Sequence, residues 1–251
     1  MLINTLGSLM PVLAQGVGEK YINPMIELMN YTEGTYDKDG LWTVGFQLPI
    51  VIVYNAELVP EDKVPDSWED LADPYWSNKI AFDDPKILNV AGSLFAHLYP
   101  ILGETTWNEL MNRIKDNNPI LTQSASESFG KVALGEAYIG IGLINDYLTG
   151  PSHVKVAWIK PFTALPVPAV LAKNAPHPNF AKLFLQWFAS AAGQYAIANT
   201  GRVPMHGVIA AGTILRGAVP PGIAFAAVAF NNPDYYLHSQ NWSNRYRDIF
   251  G

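Results

Sequence analysis

The sequence predicts an α/β protein arranged as two lobes, and three observations carry that prediction. The run from Tyr138 to Ile144 is apolar, interrupted by Gly140 and Gly142, and has the length of a strand covered on both faces, the kind found in parallel sheets. Ligands of open α/β sheets gather at the carboxyl ends of such strands, and this one delivers Asn145, Asp146 and Tyr147 there. Two long extended runs, Leu41 to Tyr54 and Phe162 to Ala172, carry Pro49 and the pair Pro166 and Pro168. Proline cannot donate a ladder hydrogen bond, so each run bends, lies at an edge, or passes between two sheets; two of them match a pair of crossings between lobes. Finally, 251 residues at 49% hydrophobic content suffice for one large domain or two modest lobes.

The remaining elements follow in chain order. Thr5 to Gly16 reads as a short helix stopped by Gly16 and Gly18, and YDKDG, Tyr36 to Gly40, as a turn. Pro65, Asp66 and Ser67 start a short helix holding Trp68 and Leu71, which Pro74 ends; Lys79 to Phe82 is a brief strand. An apolar helix spans roughly Asn89 to Leu98, and another starts near Glu104, where Trp107, Leu110, Met111 and Ile114 share one face. After a strand at Pro119 to Leu121, TQSASES opens a helix that runs to about Leu134. Its N-terminus exposes unpaired N–H groups with serine hydroxyls beside them, which suits an anion cradle or, more simply, a serine cap. Val154 to Ile159 is a strand. Pro178 then opens a helix whose apolar face is Phe180, Leu183, Phe184, Trp187 and Phe188, a further helix covers about Ala191 to Asn199, and the aromatic tail from Pro233 to Phe250 reads as helical.

Composition excludes several function classes. The net charge is -6 and no Lys/Arg cluster occurs, against a nucleic-acid binder. With no cysteine there is no disulfide, thiolate metal site or Cys nucleophile. The N-terminal stretch lacks a basic region and is broken by Asn4, Gly7, Ser8 and Pro11, so it reads as mature sequence without a signal peptide. Gly207 to Phe230 is interrupted by Arg216 and Pro220-Pro221, which favours buried coil, strand and short helix over a membrane span. No G-x-S-x-G elbow, Walker loop, H-E-x-x-H or G-x-G-x-x-G fingerprint is present. The five histidines, His97, His153, His177, His206 and His238, lack metal-ligand spacing.

Four segments together resemble a family. They are IVIVYNAELVP (Ile50 to Pro60), SWEDLADPYWSNKIAFDDP (Ser67 to Pro85), GEAYIGIGLINDY (Gly135 to Tyr147) and HPNFAKLFLQWFASAAGQYAIANTGRVP (His177 to Pro204). In order and spacing they resemble the extracellular solute-binding proteins of ABC importers, with the type 2 periplasmic binding protein fold, nearest the branch that binds ferric iron and small solutes. The resemblance implies two α/β lobes that enclose a ligand by hinge closure. The first lobe would hold residues 1–55 plus 162–207, the second 56–161, and 208–251 would pack back across them. It further implies binding without catalysis, an ABC permease as partner, and a periplasmic or extracellular location. An enzyme on the same two-lobed fold and a degenerate interaction protein without ligand are the alternatives.

Carried over from the family, Ser124 and Ser126 would meet an anion, and Asn145 and Tyr147 the ligand. No resident cofactor is implied; Fe(III) would be cargo, with Tyr147 as its ligand. The iron branch has two adjacent tyrosines where this chain has Tyr147 and Leu148, so a small anion such as a phosphonate, organophosphate or carboxylate gains over iron. Family members also carry about 70 residues ahead of the Leu6 to Tyr21 region, an estimate from the usual lobe size. The first lobe is therefore expected to be incomplete, which would expose apolar surface and favour a homo-oligomer.

Overall fold

A computed structural model of the chain describes residues 1–160, 162–205, 226–227 and 239–251. These fall into two compact units: residues 1–48, 164–205 and 227 in the first, and 49–160, 162–163, 226 and 239–251 in the second. Both proline-bearing runs are strands, β3 (Thr43–Asn55) and β8 (Thr163–Ala172), and the chain changes unit within each, at Leu48–Pro49 and Thr163–Ala164.

In the second unit the distal half of β3 lies between β7 (Val154–Ala157) and β6 (Ile139–Leu143), antiparallel to both, with Val53 opposite Val156 and Gly140. On its other side β6 runs parallel to β4 (Ile80–Asp83), which in turn runs parallel to β5 (Ile120–Thr122). The sheet is thus mixed where the buried run suggested a parallel one, because its neighbour β3 enters from the other direction. The strand is still buried on both faces, with Ile139 and Ile141 inaccessible to solvent.

Helices α3 (Val90–Leu102), α4 (Glu104–Asp116) and α5 (Ala125–Ala133) belong to this unit, as does the C-terminal helix, labelled α9 (Ser239–Phe250). The expected face of α4 is buried, and Trp107 at its centre donates from Nε1 to the Phe95 carbonyl at 2.6 Å. Against it α9 lays Trp242 and Tyr246, whose hydroxyl donates to the Gly92 carbonyl at 2.7 Å. Most of the 208–251 segment lies outside the described residues; its described helix packs on α3 and α4.

Two boundaries differ from the sequence reading. Helix α3 continues past Leu98 through Pro100, since a proline in the last turn breaks only one ladder bond, and it stops where Gly103 takes φ +77°. The stretch after Ser67 forms two short 3-10 turns, Glu69–Ala72 and Pro74–Trp76, in place of one helix; Pro74 begins the second turn as well as ending the first.

The first unit pairs β8 antiparallel with β1 (Leu2–Ile3) and β2 (Gly18–Glu19), and the proximal half of β3 with β9 (Val203–Pro204). Its helices are α1 (Leu6–Leu13), α2 (Met25–Leu28), α7 (Pro178–Ala189) and α8 (Ala191–Ala198). The core gathers Ala169, Leu171, Leu185, Phe188 and Ile197, with Phe46 and Phe184 packed against it. Buried Gln194 binds the layers together: its Nε2 donates to the carbonyls of Gly45 and Phe188 at 2.8 and 2.9 Å, and its Oε1 accepts from Met205 N–H. Only part of the apolar face read for α7 is buried, Phe184 and Phe188 packing into the core. Leu185, Phe188 and Ala189 point inward, whereas Phe180 (75% exposed), Leu183 (60%) and Trp187 (42%) face outward. Apolar residues cover so wide an arc of this helix that spacing alone does not say which part meets the sheet.

Candidate functional site

The site expected from sequence is built on two helix starts of the second unit. Strand β5 ends at Thr122, whose hydroxyl donates to the Ser124 carbonyl at 2.9 Å. Ser124 is extended and caps α5, its Oγ accepting from Glu127 N–H at 3.2 Å, while the Glu127 carboxylate reaches back to Gln123 N–H at 3.0 Å. The Ser124 oxygen thus serves the helix itself. Two residues on, Ser126 is exposed.

Strand β6 leads without a break into a six-residue helix, α6 (Ile144–Thr149). Ile144 is buried and anchors it, which leaves Asn145, Asp146 and Tyr147 half-buried. Asp146 joins the two helix starts. Its Oδ2 accepts from Ser126 Oγ at 2.9 Å and its Oδ1 from Asn145 Nδ2 at 3.0 Å. The other polar atom of the amide, Asn145 Oδ1, is shielded from solvent and meets no donor. A buried acceptor without a partner costs roughly 1–3 kcal/mol, so a donor brought by a ligand would be favoured there.

The structure therefore brings Ser126 and Asn145 onto one carboxylate, sets Ser124 two residues before Ser126 as a cap, and places Tyr147 on the same short helix as Asn145. Asp146 was visible in the polar triplet but not assigned to the site, because its partner Ser126 is twenty residues distant in sequence. A second tyrosine also went unread. Tyr54, at the end of β3, has its pKa raised by burial first, then by the charge of Glu61 and by Tyr147 nearby. Such a phenol stays protonated at neutral pH and is a poor source of the phenolate that a hard metal ion needs.

Other polar clusters carry structural roles. Among the described residues no group of three His, Cys, Asp or Glu side chains could hold a metal ion. His153 bonds the Ala133 carbonyl at 3.0 Å, and His177 is exposed beside Phe180; His206 and His238 lie outside the described residues. A cavity of about 240 Å³ is lined by Asp62, Lys63, Asp66, Asp70, Asp73 and Tyr75. Asp70 accepts from the N–H groups of Asp66 and Ser67, and Asp73 from that of Tyr75, so these carboxylates cap turns.

The fold is that of solved periplasmic binding proteins of type 2. Iron-bound HitA from Pseudomonas aeruginosa superposes with a TM-score of 0.76 at 18% identity, covering 96% of this chain and 80% of that one. AfuA from Actinobacillus pleuropneumoniae, with fructose-6-phosphate bound, gives 0.77 at 20% identity over 99% of this chain and 81% of that one. Residues 8–227 match the bacterial extracellular solute-binding protein family, and the chain belongs to it. An uncharacterized protein of Haemophilus influenzae is 29% identical over 136 residues, which are 53% of this chain and 39% of that protein. The match thus spans about two fifths of the length of that curated relative. No helix among the described residues is long and apolar enough to cross a membrane.

Proposed function

We propose that this chain is the solute-binding component of an ABC importer, that it works outside the cytoplasmic membrane with a permease, and that it binds without catalysing a reaction. Its solute is a small anion that also carries hydroxyl groups, an organic phosphate being the type. The observation that supports this most is the Ser126–Asp146–Asn145 chain, in which two donors already converge on one carboxylate. Donors that can hold a carboxylate can hold a ligand anion once Asp146 turns aside. Asn145 Oδ1 and the released Asp146 carboxylate would then accept from ligand hydroxyls, and Tyr147 would close the set. Ferric iron is the second reading, favoured by the iron-bound neighbour. Against it stand Leu148 in place of a second adjacent tyrosine and the raised pKa of Tyr54, so Tyr147 alone would supply the phenolate.

Calorimetric titration with fructose-6-phosphate, inorganic phosphate and ferric citrate separates the readings. A phosphorylated solute is expected to bind, and Tyr147→Phe to lose about tenfold in affinity, ~1.4 kcal/mol, at an unchanged melting temperature. Full affinity in both Tyr147→Phe and Ser126→Ala would overturn the assignment of this site. A visible phenolate-to-iron band on adding ferric citrate, with no heat from the phosphates, would establish the iron reading instead.

A further inference from the structure

We infer that the outer face of α7 is a self-association surface and that two copies of this chain meet through it as a weak dimer. The inference is independent of the solute reading, since none of the residues involved belongs to the Ser126, Asn145 and Tyr147 set. Phe180, Leu183 and Trp187 sit at i, i+3 and i+7, the spacing of the seam positions in paired helices. All three are well exposed, and Tyr195 on the adjoining α8 is 52% exposed. No charged residue interrupts the stripe; Lys182, the charge of α7, turns away and lies over the Tyr21 ring at 5.6 Å.

A second copy fits this stripe better than a charged partner, because the stripe offers nothing for charge to recognise and is complementary to itself. Across a two-fold axis with the helices antiparallel, Phe180 of one copy meets Trp187 of the other and Leu183 meets its own counterpart. A buried aromatic side chain contributes about 150–250 Å². At the exposures of Phe180, Leu183, Trp187 and Tyr195, each copy offers on the order of 450 Å², or about 900 Å² for the pair. Stable interfaces start near ~1,000 Å², so the dimer is weak and concentration-dependent. Each copy carries a net charge of -6, so salt, by screening the repulsion, is expected to strengthen the dimer.

Sedimentation velocity of the full chain over a concentration series, at low and high salt, tests this. The mass is expected to rise from 27.6 kDa toward twice that value with concentration, and to do so earlier at high salt. Leu183→Glu should cut the association constant at least tenfold, about 1.4 kcal/mol, while Leu134→Glu, at a still more exposed leucine of the other unit, should leave it unchanged. If Leu183→Glu loses its far-UV circular dichroism, Phe180→Ser takes its place, with the same loss expected. A wild-type chain that stays at 27.6 kDa at its highest soluble concentration would overturn the inference and leave the stripe to another protein. Undiminished association in Leu183→Glu or, in its place, Phe180→Ser would overturn it equally.

Discussion

The two units use the same α/β vocabulary and bury it to different degrees. The twelve largest fully buried side chains among the described residues, from Trp107 and Tyr246 to Ile139, all lie in the second unit. Of thirteen large apolar side chains exposed among the described residues, nine lie in the first: Met1, Ile3, Val12, Ile22, Leu28, Phe180, Leu183, Trp187 and Tyr195. Both units have amphipathic helices, so the difference is not one of pattern. In the second unit the aromatic residues of α9 fill the space over α3 and α4, whereas in the first α7 turns apolar residues toward water although a core lies beneath it. Because burial supplies most of the folding free energy, stability should concentrate in the second unit.

The largest effect expected from this contrast is at Trp107. Replacing it with alanine removes an indole that touches Tyr99, Trp242 and Tyr246 and takes its side-chain donor from the Phe95 carbonyl. Losing a fully buried aromatic costs about 3–5 kcal/mol. Urea denaturation of Trp107→Ala should show a loss of that size; a loss below about 1 kcal/mol would mean that the second unit is not the stability centre.

A smaller effect tests whether the first unit is well packed where it is packed at all. A β-carbon at Gly45 would lie 1.8 Å from the Phe188 ring, which is buried in the core and cannot swing away. Overpacking of this kind costs about 1–3 kcal/mol, so Gly45→Ala should lower the urea midpoint by less than Trp107→Ala does. An unchanged midpoint would show that the core around Phe188 is loose, and would widen the contrast between the units.

Much of this contrast was legible in the sequence, and the unread part has physical reasons. Proline marked β3 and β8 because a missing N–H is a local fact that no tertiary context restores. The buried face of α4 was legible because its apolar arc is narrow and the opposite face is polar. On α7 the arc was wide, and only its neighbours decide that Leu185 turns in and Leu183 out. Helix α6 escaped notice because it is six residues long and starts from Leu143, which provides no capping side chain. At the site, Ser126, Asn145 and Tyr147 could be named from a family resemblance, but the carboxylate joining two of them depends on α5 and α6 beginning side by side.

The smallest expected effect concerns how helices start in the two units. Neither α3 nor α7 has a capping bond from its own N-cap side chain. Helix α7 opens on Pro178, which needs no acceptor, whereas α3 uses Asp83 of β4, whose oxygens accept from Val90 and Ala91 N–H at 2.9 and 2.8 Å. Burial raises the pKa of Asp83 more than these two bonds lower it. The folded state therefore holds this proton more tightly than the unfolded one, and the contribution of Asp83 to stability falls as pH rises from the unfolded carboxylate value to the raised folded one. An asparagine side chain at this position does not titrate, but its Nδ2 cannot accept the second N–H, so Asp83→Asn should lie below the wild type by about 1 kcal/mol in acid, with the gap closing as pH rises. Urea midpoints of the two proteins across this pH range decide the point. A wild-type advantage that grows with pH would mean that the charged cap is worth more than its desolvation costs, and that the helix starts of the second unit depend on charge in a way that Pro178 spares the first.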